Sequence, residues 1–376
     1  MRIKSTSLRN ILVRTPNWVG DAVMAEPAVR RLRAVLRDAH LAILARPGVA
    51  SLYEGEGLAD EIIATDVRGA VDLMKESRQI RERRFDMAVL LQNAFGAALL
   101  SRASGIRRIA GYPTDCRRLL LDPVIPFAPD YKTSHQVFYY LRIALVLESL
   151  LGCREDGNAT ADETELPTDA ITPRLSATAE ASERAVRLLA GHGIRTGRPD
   201  DAPLLVLNPG ATNSRAKQWL PERFAEVADR LATETRFQTV IVGAPGDCDV
   251  ARTVAGQMRT PAAVLAGKTD LSALKGILAQ ASLLISNDTG AAHVGAALGI
   301  PTVVVFGPTE QFATHPYSDK AIVVRRQVEC SPCMLRDCPI DHRCMTSVQV
   351  EDVCRGVERL LGSNTMPVVI SSAVPR

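Results

Sequence analysis

Nowhere in the 376 residues do roughly 18 to 20 apolar residues run uninterrupted, the length a helix needs to cross a bilayer. The opening MRIKSTSLRN has no apolar signal core or cleavage site and leads straight into strand-like residues, so a cytoplasmic protein is expected. A disulfide framework is also missing. There are eight cysteines, but four of them crowd into 330-CSPCMLRDCPIDHRC-344, a local cluster in a chain far longer than small disulfide-stapled domains. Finally, the turn after the first strand-like run, 14-RTPNWVGDAV-23, lacks the three spaced glycines of a dinucleotide site and offers Asn17, Trp18, Gly20 and Asp21 instead.

What is present points to a large folded protein. With 46% hydrophobic and 23% charged residues the chain is too apolar to be disordered and too long for one ordinary core, so two packed domains with a cleft between them are expected. The formal charge of +3 is unevenly spread. Residues 1–150 hold 22 Lys and Arg against 16 Asp and Glu, leaving 23 against 26 for the remainder. Arg30, Arg31, Arg33 and Arg37 follow one helical pattern and Arg78, Arg81, Arg83 and Arg84 another. Such rows suit an anionic substrate or a phosphate-bearing membrane surface, and equally an ordinary solvated helix face.

Short apolar runs alternate with longer helical patterns, the signature of parallel sheets covered by helices on both faces. Strands are expected near 11–14, 41–45, 61–64, 87–91 and 108–111, then at 204–208, 239–243, 282–286 and 302–307, with the clearest early helix at 22–36. The polar stretch 154–175 and the Ala-rich helix 176–190 mark a boundary, giving domains 1–172 and 173–346, a terminal helix 347–362 and a frayed tail 363–376.

Ligands of open α/β sheets bind outside the carboxyl ends of the strands, and three turns there carry suitable residues. In the first, Gly20 permits close approach and Asp21 lies at or beside a helix start, where it reads as a cap or as a functional carboxylate. The second, 208-NPGATNSRAKQW-219, offers Thr212, Asn213 and Lys217, donors that suit phosphate oxygens. In the third, 286-SNDTGAAHVGAALGIP-301, Asp288, Thr289 and Gly290 open a helix of small residues whose free amides favour a diphosphate. His293, one turn further on, reads as a ligand contact or as a satisfied core histidine.

Together PNWVGDAVM, NPGATNSRAKQW, SNDTGAAHVGAALGIPTVVVFGPTE and CSPCMLRDCP resemble the ADP-heptose:lipopolysaccharide heptosyltransferases of glycosyltransferase family 9 from about residue 11 to 361. They look most like the branch that adds the second inner-core heptose. The resemblance implies a GT-B architecture, two Rossmann-like domains facing a central cleft, with the acceptor, a heptosyl-Kdo2-lipid A, in the first and ADP-heptose in the second. It implies that Asp21 is the general base of an inverting transfer, with Asn17, Trp18 and Gly20 on the acceptor side. Lys217 would neutralise the leaving diphosphate with Thr212 and Asn213 as oxygen donors, and Asp288, Thr289, Gly290 and His293 would form the other wall. No cofactor is implied for transfer and no nucleic acid as partner. Peripheral contact with the inner membrane is implied by a lipid acceptor.

Cys330, Cys333, Cys338 and Cys344, with His342 beside them, are spaced more tightly than paired CxxC knuckles, and reduced thiols packing a loop are favoured over a structural zinc. Two other functional readings stand beside the main one. One is a family member with a different donor or acceptor; the other is a silent nucleotide-binding scaffold, which predicts a missing base or cation although Asp21 and Lys217 are both present.

Overall fold

The structure, a computed structural model, describes residues 8–152, 166–198 and 200–362. The expected tail 363–376 and most of the expected polar boundary stretch lie outside them. The chain divides into two compact units. One comprises residues up to Thr178 together with Phe312–Tyr317, and the other Ala179–Gln311 and Ser318 onward. The division follows Thr178 rather than residue 172, and the short return of 312–317 to the first unit had no counterpart in the sequence reading.

The first unit holds five parallel strands, β1 (Asn10–Arg14), β2 (His40–Ala45), β3 (Glu61–Ala64), β4 (Met87–Leu90) and β5 (Arg108–Gly111), in the order β3-β2-β1-β4-β5. The second holds six, β6 (Leu204–Asn208), β7 (Gln238–Ile241), β8 (Ala262–Val264), β9 (Leu283–Asn287), β10 (Thr302–Val305) and β11 (Ala321–Val324), in the order β11-β10-β9-β6-β7-β8. All the pairings are parallel. In each sheet the strand order reverses once, beside β1 and β4 in the first and beside β6 and β9 in the second. Those switch points are where an open sheet leaves a crevice at its carboxyl edge.

Burial explains why these strands were readable. A parallel sheet covered on both faces wants apolar residues at every position, and 204-LLVLN-208 and 302-TVVV-305 are buried throughout. β8 (AAV) is only three residues long, whereas β11 (AIVV) is as apolar a run as β10 but only partly buried, and neither was among the expected strands. The second unit's core gathers around Trp219, Phe224 and Met345, and includes Val350, Val353 and Val357 of the terminal helix Val350–Leu361. Helix Leu271–Ala279 approaches Ala179–Ala190 so closely that a Cβ on Gly276 would fall 2.2 Å from the Ala181 carbonyl oxygen.

The expected helix 22–36 is two helices, Val19–Met24 and Glu26–Val35. Pro27 has no amide to continue the ladder and its ring crowds the preceding turn, so the chain restarts at Ala25. The long helix Gln136–Leu150 follows His135, whose Nδ1 accepts from the Val137 amide at 3.2 Å. The His135 Nε2 lies 2.8 Å from the His315 carbonyl oxygen, and its ring packs on His315 and Tyr317 of the returning segment.

Candidate active site

At the first switch point β1 ends in Arg14, a buried guanidinium that donates to Leu44 O at 3.0 Å and to Asn17 Oδ1 at 2.9 Å. Burial, then the like charge of Arg46, draws its pKa down to about 10. Arg14 thus fixes the bend that carries Asn17, while Trp18 is left 57% exposed. The helix starts at Val19 with Trp18 as its N-cap, so Asp21 is its third residue and does not cap it. Asp21, expected at or beside the helix start, lies within the first turn, because the helix begins three residues before the expected Ala22. In this first turn a carboxylate is still favoured by the helix dipole.

Asp21 is held from the side. The Tyr140 hydroxyl, on the 136–150 helix, donates to Asp21 Oδ1 at 3.0 Å. Full burial, and then the negative charge of Asp21, push the Tyr140 phenol well above its ordinary pKa, so it stays a donor. Tyr53, also buried, donates to the Ala22 carbonyl at 3.1 Å and braces the same turn. Beyond β4 and β5 the buried Arg117 donates to Tyr112 O at 2.8 Å, to Gln92 O and to Asn93 Oδ1 at 3.2 Å, closing the neighbouring turn.

The basic rows resolve into different roles. Arg30, Arg31 and Arg33 are ion-paired with Glu26, Glu148 and Asp60 and tie their helix down. Arg83 pairs with Glu61. Lys75 and Arg78 instead flank the exposed Val71 and Met74 on helix Ala70–Glu82.

At the second switch point β6 and β9 lie side by side and their last residues interlock. Asn208 Nδ2 donates to Ser286 Oγ at 2.9 Å and to Thr289 Oγ1 at 2.8 Å. Asn287 Oδ1 accepts from the Trp219 amide at 3.0 Å, and its Nδ2 donates to Pro209 O at 2.7 Å. Two loops distant in sequence are thereby locked together, and the lock brings Lys217 Nζ to 2.7 Å from Asp288 Oδ2. Thr309 Oγ1 donates to the same carboxylate oxygen at 2.7 Å. Asp288 is buried, whereas the Lys217 side chain keeps 27% of its surface in solvent. The lysine is therefore restrained yet reachable.

Thr289 is the N-cap of helix Gly290–Ala297 and its side chain does not cap it. With that hydroxyl accepting from Asn208, the first amides of the helix remain available to an anion. His293 is buried within the helix. Thr212 and Asn213 are exposed on the preceding loop, and Thr212 donates to Asp247 Oδ2 at 3.1 Å. Asp247 also accepts from the Ala244 amide at 2.9 Å, and among the described residues its buried Oδ1 has no hydrogen-bond partner. Gly210 is what admits Asp247, since a Cβ there would fall 2.1 Å from the Asp247 Cγ.

Arg14, Tyr140, Asp247 and Thr309 were missed by sequence reasoning. Arg14 opens the stretch 14-RTPNWVGDAV-23 and Thr309 lies in the GPTE end of the third motif, but neither was given a role there, while Asp247 stands in 243-GAPGD-247, which follows β7 in the manner of the other strand-end turns. Among the described residues no three His, Cys, Asp or Glu side chains are grouped so as to hold a metal, the four clustered cysteines included. The Cys344 thiol is pushed up to about 11 by burial and then by the neighbouring Cys330, Cys333 and Cys338.

Comparison with known proteins agrees with this layout. Residues 73–343 match the sequence pattern of "Glycosyltransferase family 9 (heptosyltransferase)". Lipopolysaccharide heptosyltransferase 2 of Escherichia coli K12 is 28% identical over 323 residues, covering 84% of this chain and 87% of that protein. Lipooligosaccharide heptosyltransferase 2 of Campylobacter jejuni serotype O:2 is 26% identical over 360 residues, covering 93% and 98%. The solved structure of E. coli ADP-heptose lps heptosyltransferase II superposes with a TM-score of 0.77 at 25% identity, covering 94% of this chain and 98% of that one. With two doubly wound parallel sheets and a family match over most of its length, the chain belongs to glycosyltransferase family 9, the heptosyltransferases.

Proposed function

We propose that this glycosyltransferase moves a heptose from ADP-heptose, with inversion at C1, to the first heptose of the lipopolysaccharide inner core. The observation that carries the reading is the Lys217 and Asp288 pair beside an uncapped helix N-terminus at the β6 and β9 switch point. A restrained cation and free helix amides stabilise the negative charge that grows on a departing diphosphate. The donor follows the name of the solved E. coli relative, and the acceptor follows the heptosyltransferase 2 relatives.

In this reading the Asp21 carboxylate takes the proton of the acceptor hydroxyl as its oxygen bonds to C1, and the C1 to phosphate-oxygen bond breaks on the opposite face. Tyr140 keeps one carboxylate oxygen of Asp21 engaged and so fixes the direction of the other. Lys217 exchanges part of its interaction with Asp288 for a diphosphate oxygen, while Thr212 and Asn213 supply further donors. Transfer by this route assigns charge neutralisation to the lysine and the helix amides and calls on no cofactor.

No described helix is long and apolar enough to cross a membrane. Peripheral contact with the cytoplasmic face of the inner membrane is part of the proposal, and the exposed Val71 and Met74 beside Lys75 and Arg78 are suited to it. The test is to incubate the protein with ADP-heptose and mono-heptosylated Kdo2-lipid A and weigh the product. A gain of one heptose supports the reading. Transfer only to acceptor lacking the first heptose would assign a different step, and no transfer with either would refute it.

A further inference from the structure

The cysteine-bearing loop is left without a task by the chemistry above, yet its contacts run to both sides of the donor-side ion pair. On one side it holds the turn that carries Lys217. The buried Ala216, one residue earlier, donates its amide to Arg336 O at 2.9 Å, and its carbonyl oxygen lies 2.7 Å from His342 Nε2. A carbonyl oxygen can only accept, so Nε2 carries the proton and donates. Ser214 Oγ adds a bond to Arg336 O at 3.2 Å. On the other side the loop holds the strand end that carries Thr309. The Cys333 and Met334 amides donate to Pro308 O at 3.0 and 2.8 Å, and Ser331 Oγ donates to Gly307 O at 2.6 Å.

One loop therefore grips the backbone just before Lys217 and the backbone just before Thr309, and Lys217 and Thr309 meet on the same oxygen of Asp288. His342 is the keystone of the grip. Its ring reaches Ala216, its amide donates to Cys338 Sγ at 3.3 Å, and its backbone sits in the left-handed region at φ 58°. A non-glycine residue held there is uncommon and costs energy that its contacts offset. We propose that His342 is a positioning residue for the Lys217 and Asp288 pair, acting through the Ala216 carbonyl. The proposal rests on the donor-site reading for its consequence in catalysis, but its structural content can be read without any donor.

The test compares His342→Ala with His342→Gln. Both pay the same left-handed backbone cost, so they differ chiefly in whether a side-chain N–H can still reach Ala216 O. The first readout needs no ligand: brief acetylation followed by mass spectrometry measures how fast Lys217 is labelled. His342→Ala is expected to speed labelling of Lys217 by about 3- to 10-fold, the scale of one lost hydrogen bond, with His342→Gln restoring most of the protection. The second readout is ADP titration by calorimetry, where His342→Ala should weaken binding by a similar factor and leave acceptor KM unchanged. Unchanged Lys217 labelling in His342→Ala would overturn the proposal. So would equal damage from Ala and Gln, which indicates a merely structural residue. Failure of the unaltered protein to bind ADP would instead count against the donor reading, and the labelling result would still decide the role of His342.

Discussion

Tyr140 and Asp21, 119 residues apart in sequence, meet through a single 3.0 Å hydrogen bond from phenol to carboxylate. The phenol is buried and cannot easily ionise, so the bond has one direction: Asp21 is the acceptor. Replacing Asp21 by Asn should leave the fold nearly intact, because an amide still accepts from Tyr140 and the dipole contribution lost is only about 0.3 to 1 kcal/mol. Transfer should fall by roughly 100-fold or more, the scale of a missing general base. Steady-state rates with melting curves check both halves, and near-normal turnover would end the base assignment.

Tyr140→Phe tests the support rather than the base. The variant should cost about 1.5 to 3 kcal/mol of stability and reduce kcat by several-fold, in line with one lost hydrogen bond to a charged group. Because that bond favours the carboxylate form, its loss should move the acid limb of the pH–rate profile to higher pH. A limb that stays in place would mean that Tyr140 is packing only.

Lys217→Ala should raise KM for ADP-heptose and lower kcat while leaving acceptor KM alone, since the lysine serves charge on the leaving group. Removing one partner of a fully buried pair costs about 3 to 5 kcal/mol, but Lys217 is 27% exposed, so about 1 to 3 kcal/mol is expected from denaturant melts. An effect confined to the acceptor would contradict the donor assignment.

Gly210→Ala places a methyl where Asp247 already stands, 2.1 Å from its Cγ. Asp247 is buried and tied to Thr212 and the Ala244 amide, so it cannot swing clear. The variant should lose roughly 2 kcal/mol or more through overpacking, together with ADP affinity. Adding Asp247→Gly removes the Cβ, which would otherwise stand 2.5 Å from the new methyl, along with the Cγ and Oδ2, so the double variant should be more stable than the sum of the single losses predicts, and strict additivity would refute the steric account.

Thiol chemistry separates the cysteines. Among the described cysteines, exposed Cys116 should react with an alkylating reagent first, and Cys344 and Cys354, each raised to about 11 chiefly by burial, should react last at mildly alkaline pH. Peptide mapping over time gives the order. Metal analysis of the same sample is expected to find no stoichiometric zinc; one bound equivalent, released as Cys333→Ser unfolds, would instead identify a structural site.

What could be read from sequence was what local pattern encodes. Runs such as LLVLN announce a doubly covered strand because every position must be apolar, and Pro221 marks its helix start because its fixed backbone suits the first position. Lys217 and Asp288 were legible as strand-end residues, and their 2.7 Å meeting follows from β6 and β9 being neighbours. The start of the first helix was misplaced because Gly20 is a poor helix former and Asp21 reads as an N-cap residue, which together suggest a helix opening only at Ala22. Tyr140 and His342 were invisible for another reason. Tyr140 sits in a long apolar run where a tyrosine looks like core, and the partner of His342 lies 126 residues away, so only the assembled fold discloses either role.

The return of Phe312–Tyr317 to the first unit has a consequence for how the chain is made. The polypeptide passes between units three times, after Thr178, after Gln311 and after Tyr317. A ribosome therefore releases the whole first sheet long before it makes the histidine and tyrosine that pack on His135. Until residue 317 emerges, the start of the helix that bears Tyr140 is uncovered. The first unit is finished only when most of the second has been synthesised, so a fragment ended at Thr178 would remain incomplete.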